Sequence, residues 1–168
     1  MTRVLLINGA SGVGKSTIAE KLCEDRNFFF IRSYTNRPPR TTDDQEHIYC
    51  NNHEASIHLT GGDVVCSTMF GGYTYFTLEH QFMNGLINVY IVDDLGLLDF
   101  YNYSKNHALI QWMSIRLKRN ADCDRQSRDY SLCGDMFLDV VIENEGTVDD
   151  AVTKIKHELI EKGWDSYE

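Results

Sequence analysis

The chain has 168 residues, 42% hydrophobic and 24% charged, the mix of one globular domain large enough to hold a core without disulfide staples. This excludes a disordered chain, a collagen-like repeat and a coiled coil, and no apolar run approaches the roughly 20 residues that span a bilayer, so no membrane partner is expected. The net charge of −9 lies wholly in residues 41–104, which hold nine acids and no Lys or Arg; that stretch repels a polyanion, so no nucleic-acid partner is expected, and it reads otherwise as a solvated acidic face.

Five cysteines (Cys23, Cys50, Cys66, Cys123, Cys133) form no C-x-x-C pair and read as reduced thiols of a cytoplasmic protein. Residues 3–7 are a nearly all-apolar run that suits a strand buried on both faces. Asn8-Gly9 ends the run at once, unlike the apolar region of a leader peptide. Residues 16–24 place Ile18, Ala19, Leu22 and Cys23 on one helical face, and 28–31 read as a second strand. Pro38-Pro39 mark a turn rather than a domain boundary.

From 47 to 76 the pattern is broken, with short strands expected near Ile48, at Val64-Val65 and over 73–76. The pattern predicts a helix over 77–85, a strand over 88–92, a helix over 95–103 and a strand over 108–112. A basic helix is expected from about Ser114, then a fifth central strand over 138–142. Thr147-Val148-Asp149-Asp150 has the capping-box form and opens a last helix with Val148, Ala151, Val152, Ile155 and Leu159 at helical spacing. Strands alternating with helices predict an α/β fold with a parallel sheet and an irregular insertion in its middle. Met and aromatic residues outside the motifs read as core.

Gly9-Ala10-Ser11-Gly12-Val13-Gly14-Lys15-Ser16, followed by Thr17, fits G-x-x-x-x-G-K-[ST] between a buried strand and a helix. Glycines let successive N–H groups turn inward on phosphate oxygens, and the helix N-terminus adds partial positive charge. Lys15 is expected to reach the β- and γ-phosphates of ATP, and the Ser16 hydroxyl to ligate Mg²⁺. No N-K-x-D run, as a GTPase uses for guanine, is present.

Further along stand Ser33-Tyr34-Thr35-Asn36-Arg37-Pro38-Pro39-Arg40, Gly72-Tyr73-Thr74-Tyr75, Ile91-Val92-Asp93-Asp94-Leu95-Gly96 and Val140-Val141-Ile142-Glu143-Asn144. With these motifs in this order, the chain resembles the guanylate kinase family of nucleoside monophosphate kinases from about residue 3 to 160. The resemblance implies a P-loop NTPase fold with a five-stranded parallel sheet. It implies one domain with its core in 1–32 and 88–168, an acceptor-binding subdomain in 33–87 and a short lid at about 118–128. It implies ATP-dependent phosphorylation of a nucleoside monophosphate with Mg²⁺, GMP or dGMP being the first acceptors to consider.

Two guanidinium forks three residues apart around Pro-Pro can grip a dianion bidentately. By the resemblance, Ser33, Arg37, Arg40 and a following tyrosine bind the acceptor phosphate. That tyrosine is Tyr49, or His47 fills its place. Tyr75 and Thr77 match residues facing the acceptor's phosphate and base, and Asp93 an acceptor and Mg²⁺-site carboxylate. Arg116, Arg119 and Arg125 match lid arginines that close on the transferring phosphoryl group, with Arg128 a further candidate. Asn144 matches a position near the adenine.

The chain departs from the family pattern at three points. Cys66 stands where the family has a guanine-binding glutamate, Phe76 replaces a glycine and is expected to narrow or reshape the base pocket, and only five residues separate Arg119 from Arg125. Gln45-Glu46-His47-Ile48 also resembles relatives that phosphorylate ribose 1,5-bisphosphate, so another monophosphate or that sugar is an alternative acceptor. A non-catalytic guanylate kinase-like interaction module is the alternative of another class.

Overall fold

At the centre of the fold lies β1 (Thr2–Gly9), flanked on both sides in a five-stranded parallel sheet of order β2-β7-β1-β8-β9. The computed structural model describes residues 1–119 and 137–164. The other strands are β2 (Phe28–Ile31), β7 (Ile87–Ile91), β8 (Ile110–Lys118) and β9 (Val140–Glu143). Successive β1 side chains point to opposite faces, and both faces are covered. Leu5 and Ile7 join a core with Ile18 and Leu22 of α1 (Lys15–Leu22) and Ile155 and Leu159 of α4 (Val148–Glu161). Val4 and Leu6 join a second core with Leu97 and Phe100 of α3 (Asp94–Ser104). The expected capping box is present: Thr147 accepts from the Asp150 amide, and Asp150 returns a contact to the Thr147 amide.

A second sheet of order β4-β3-β6-β5 is built from β3 (Tyr34–Thr35), β4 (Ile48–Tyr49), β5 (Val64–Phe70) and β6 (Tyr73–Leu78). Its own small core is Ala55, Phe76 and Leu78, with Ala55 supplied by α2 (Asn52–Thr60). The expected short strands are found there.

Three local expectations are corrected. Residues 77–85 are not a helix: β6 runs on through Leu78, and only Glu79–Gln81 make a 3-10 turn. No helix starts at Ser114: Met113, Ile115 and Leu117 alternate with more polar neighbours and are buried, so β8 continues to Lys118. Met69 and Phe70, at the turn of the β5–β6 hairpin, are exposed rather than core. No helix among the described residues is long and apolar enough to cross a membrane.

Candidate functional site

The glycine loop leaves the carboxyl end of β1 and opens α1. Gly14 is the N-cap of α1 with φ 96°, and Gly9 has φ 145°. A Cβ on Gly9 would stand 2.5 Å from the Leu117 carbonyl oxygen, so glycine is required by both conformation and close approach. Asn144, from the segment after β9, donates through Nδ2 to the Val13 carbonyl at 2.8 Å and so braces the loop from behind. Lys15 folds back onto the loop: Nζ donates to the carbonyls of Gly9 and Ala10, each at 2.8 Å. Burial pushes its ammonium pKa below the ordinary lysine value.

Lys15 and Gly9 line a cleft of about 260 Å³ with Ser33, Tyr75, Tyr90 and Asp93. His47, Cys66, Thr68 and Phe70 complete much of its wall. A neighbouring cleft of about 360 Å³ shares Ser33, His47 and Ile91 with it and reaches Ser16, Arg32, Asp43 and Glu46. The loop between β3 and β4 therefore lies across from the first turn of α1.

Asp93 caps α3, its Oδ1 accepting from the Gly96 amide at 2.7 Å, while Oδ2 accepts from the Thr68 hydroxyl at 2.9 Å. The carboxylate is both a helix cap and part of the cleft wall. Burial pushes the Cys66 thiol up, so it stays protonated, and Sγ donates to the Gly96 carbonyl at 3.4 Å.

Arg37 is held behind the cleft wall, its side chain only 10% exposed. Its Nη2 donates to Tyr49 Oη at 3.2 Å and Asp44 Oδ2 at 3.4 Å, and Nη1 to the Pro38 carbonyl. Arg40 is exposed, with Nη1 3.4 Å from Glu46 Oε2. Neither arginine is among the lining residues of the two clefts. His47 lines both clefts, whereas Tyr49, paired with Arg37, is among the lining residues of neither.

Other expected residues fall elsewhere. Thr77 is fully buried and does not line the cleft. Phe76 does not narrow a base pocket: it points to the other side of β6, stacked on Tyr34 with centroids 5.3 Å apart. Arg116 sits on β8 in register with Asn8, not on a lid. Its Nε donates to Asn8 Oδ1 at 3.1 Å and Nη2 to Asp94 Oδ1 at 2.9 Å. Asn8 Nδ2 also donates to Asp94 Oδ1, at 3.1 Å, closing a three-residue network at the root of the glycine loop. Sequence reading passed over Asn8 and Asp94; the signal was the second of two adjacent acids at a strand end. Arg119 is exposed just beyond β8, while Arg125, Arg128 and most of the expected lid lie outside the described residues.

A glycine loop after the central strand of a parallel sheet, with helices on both faces, defines the P-loop NTPase fold. Within that class the chain has the guanylate kinase fold. It is similar to the crystal structure of guanylate kinase from Anaplasma phagocytophilum, with a TM-score of 0.74 and 19% sequence identity over 96% of this chain and 86% of that one. No family model matches the sequence, and no curated protein matches it.

Proposed function

We propose that the chain transfers the terminal phosphoryl group of ATP to a nucleoside monophosphate. One observation carries this reading: Lys15 of the glycine loop and Ser33, Tyr75 and Asp93 of the expected acceptor side line a single cleft. In this reading the loop amides and Lys15 hold the donor phosphates. Lys15 exchanges two carbonyl contacts for phosphate oxygens, which recovers the charge pairing that burial denies it. Arg37, Arg40 and Tyr49 hold the acceptor phosphate. No general base is needed, because that phosphate is already ionised.

The Ser16 hydroxyl and the Asp93 carboxylate are oxygen donors of the kind Mg²⁺ takes, and both face the joined clefts. Asp93 has one protein hydrogen bond on each oxygen, which leaves lone pairs for a metal-bound water. Bound there with ATP, Mg²⁺ supplies neutralisation of charge on the transferring group. Arg116, tied to Asn8 beside Gly9, orients the loop, and in this reading Arg119 and Arg125 supply positive charge to the transferring group. The inserted sheet is the acceptor-binding unit in this reading. The first acceptors are GMP and dGMP. Cys66 offers the base a weak thiol instead of a carboxylate, so the acceptor panel includes AMP, dTMP and ribose 1,5-bisphosphate.

ADP release in the presence of Mg²⁺ and ATP tests the reading. Turnover is expected with at least one acceptor, and Lys15→Ala is expected to reduce it by about 100- to 1,000-fold with the fold retained. No turnover with any acceptor overturns the kinase reading and leaves a non-catalytic module.

A further inference from the structure

We propose that Asp44 is an internal occupant of the acceptor's anion seat and sets how tightly that seat holds phosphate. The inference rests on the reading of Arg37, Arg40 and Tyr49 given above. The Asp44 side chain is only 5% exposed despite lying in the loop between β3 and β4. Its Oδ2 accepts from the Arg40 amide at 2.9 Å and from Arg37 Nη2 at 3.4 Å, and its Oδ1 from the Glu46 amide at 3.1 Å. The Tyr49 hydroxyl, the two amides and the Arg37 guanidinium hold this carboxyl far below the usual carboxylate range. A guanidinium, a phenol and backbone amides converging on one point are the donors an oxyanion takes. Here the chain supplies the oxyanion itself.

The carboxylate does not exhaust the seat. Among the described residues Arg37 Nε is buried with no partner, although Nη1 and Nη2 are both engaged. A guanidinium offers Nε and Nη2 as one edge of its fork, and Asp44 takes only the Nη2 side. A tetrahedral anion with three free oxygens can fill both. The Arg40 guanidinium is 70% exposed and among the described residues pairs only with Glu46, at 3.4 Å, so it can turn onto such an anion. A phosphate and the Asp44 carboxylate cannot share the seat, since both would be anionic at contact distance. Acceptor binding therefore expels Asp44, and apparent affinity is reduced by the fraction of molecules in which Asp44 is seated. The consequence is selection for acceptors whose phosphate is fully dianionic and whose other contacts can meet this cost.

The test is titration calorimetry of Asp44→Asn and Asp44→Ser with inorganic phosphate and with GMP, alongside the unchanged chain. Both variants keep a side-chain acceptor for the loop amides but remove the charge. Each is expected to bind phosphate about tenfold or more tightly, with the affinity for ATP unchanged. Phosphate affinity that is equal or weaker in a folded variant overturns the proposal. If both variants fail to fold, the carboxyl carbon shift of Asp44 in the unsubstituted, ¹³C-aspartate-labelled chain decides. It is expected to move as phosphate or GMP saturates, and a static signal at saturation overturns the proposal. Turnover is read separately: no transfer to any acceptor, together with tighter phosphate binding by Asp44→Asn, removes the kinase reading and keeps this one.

Discussion

Asn144 and Val13 are joined across the fold by a 2.8 Å hydrogen bond from a side-chain amide to a main-chain carbonyl. Asn144 is 8% exposed and follows the edge strand β9, so the glycine loop is fastened to the end of the sheet farthest from β2. Asn144→Ala leaves the Val13 carbonyl without this donor and is expected to cost about 1–3 kcal/mol. Urea unfolding measures that loss, and calorimetry with ATP is expected to show weaker binding, because the loop is no longer held in shape before the ligand arrives.

Gly9→Ala tests the approach of β8 to the loop. The added methyl group meets a backbone oxygen, which cannot turn aside as a side chain would, at a φ that L residues rarely adopt. The expected cost is about 2 kcal/mol or more, read as a lower denaturation midpoint at unchanged slope. A variant as stable as the parent would show that β8 yields easily.

Phe76→Ala separates packing from recognition. Phe76 is fully buried against Tyr34, Ala55 and Leu78, on the side of β6 away from the cleft. Truncation is expected to cost about 3–5 kcal/mol in unfolding while leaving the acceptor KM of the surviving folded fraction little changed. A large rise in acceptor KM at unchanged stability would return Phe76 to the cleft.

His47 gives a pH signature. Burial, and then the nearby Arg37 charge, lower its pKa, and its Nδ1 is buried without a partner among the described residues. The folded chain therefore binds this proton less readily than the unfolded one. The stability tied to neutral His47 is present above the unfolded value near 6.5 and is lost as pH falls through the lower folded pKa. Titrating the ring proton by NMR is expected to give a midpoint below 6.5, and His47→Gln is expected to flatten the stability profile between about pH 5 and 7. A midpoint at or above 6.5 contradicts the burial of the ring.

The elements legible in the sequence were those specified locally. Val4-Leu5-Leu6-Ile7 followed by the glycine motif reads as strand, loop and helix without help from the rest of the chain. Thr147 and Asp150 mark the start of α4 by their own hydrogen bonds. The misread elements depended on partners distant in sequence. Arg116 and Lys118 looked helical because they are basic and closely spaced, but Ile115 and Leu117, on either side of Arg116, are fixed by pairing with β1 and β9. α2 was missed because only Ala55 on it is buried, so it carries almost no apolar stripe, and its sole clear signal is the Asn51–Glu54 capping box. In the site, the residue types were legible and their pairing was not. The seating of Asp44 on Arg37 requires the loop after Arg40 to close, and nothing in local pattern encodes that closure.

The position of β1 bears on where motion can occur. Val4, Leu5, Leu6 and Ile7 have no exposed surface, and strands lie on both sides of them. Amide exchange should be slowest along this strand, near the limit set by global unfolding. Adjustment to a ligand is then left to the segments away from β1, while this strand and the root of the glycine loop behave as a fixed anvil.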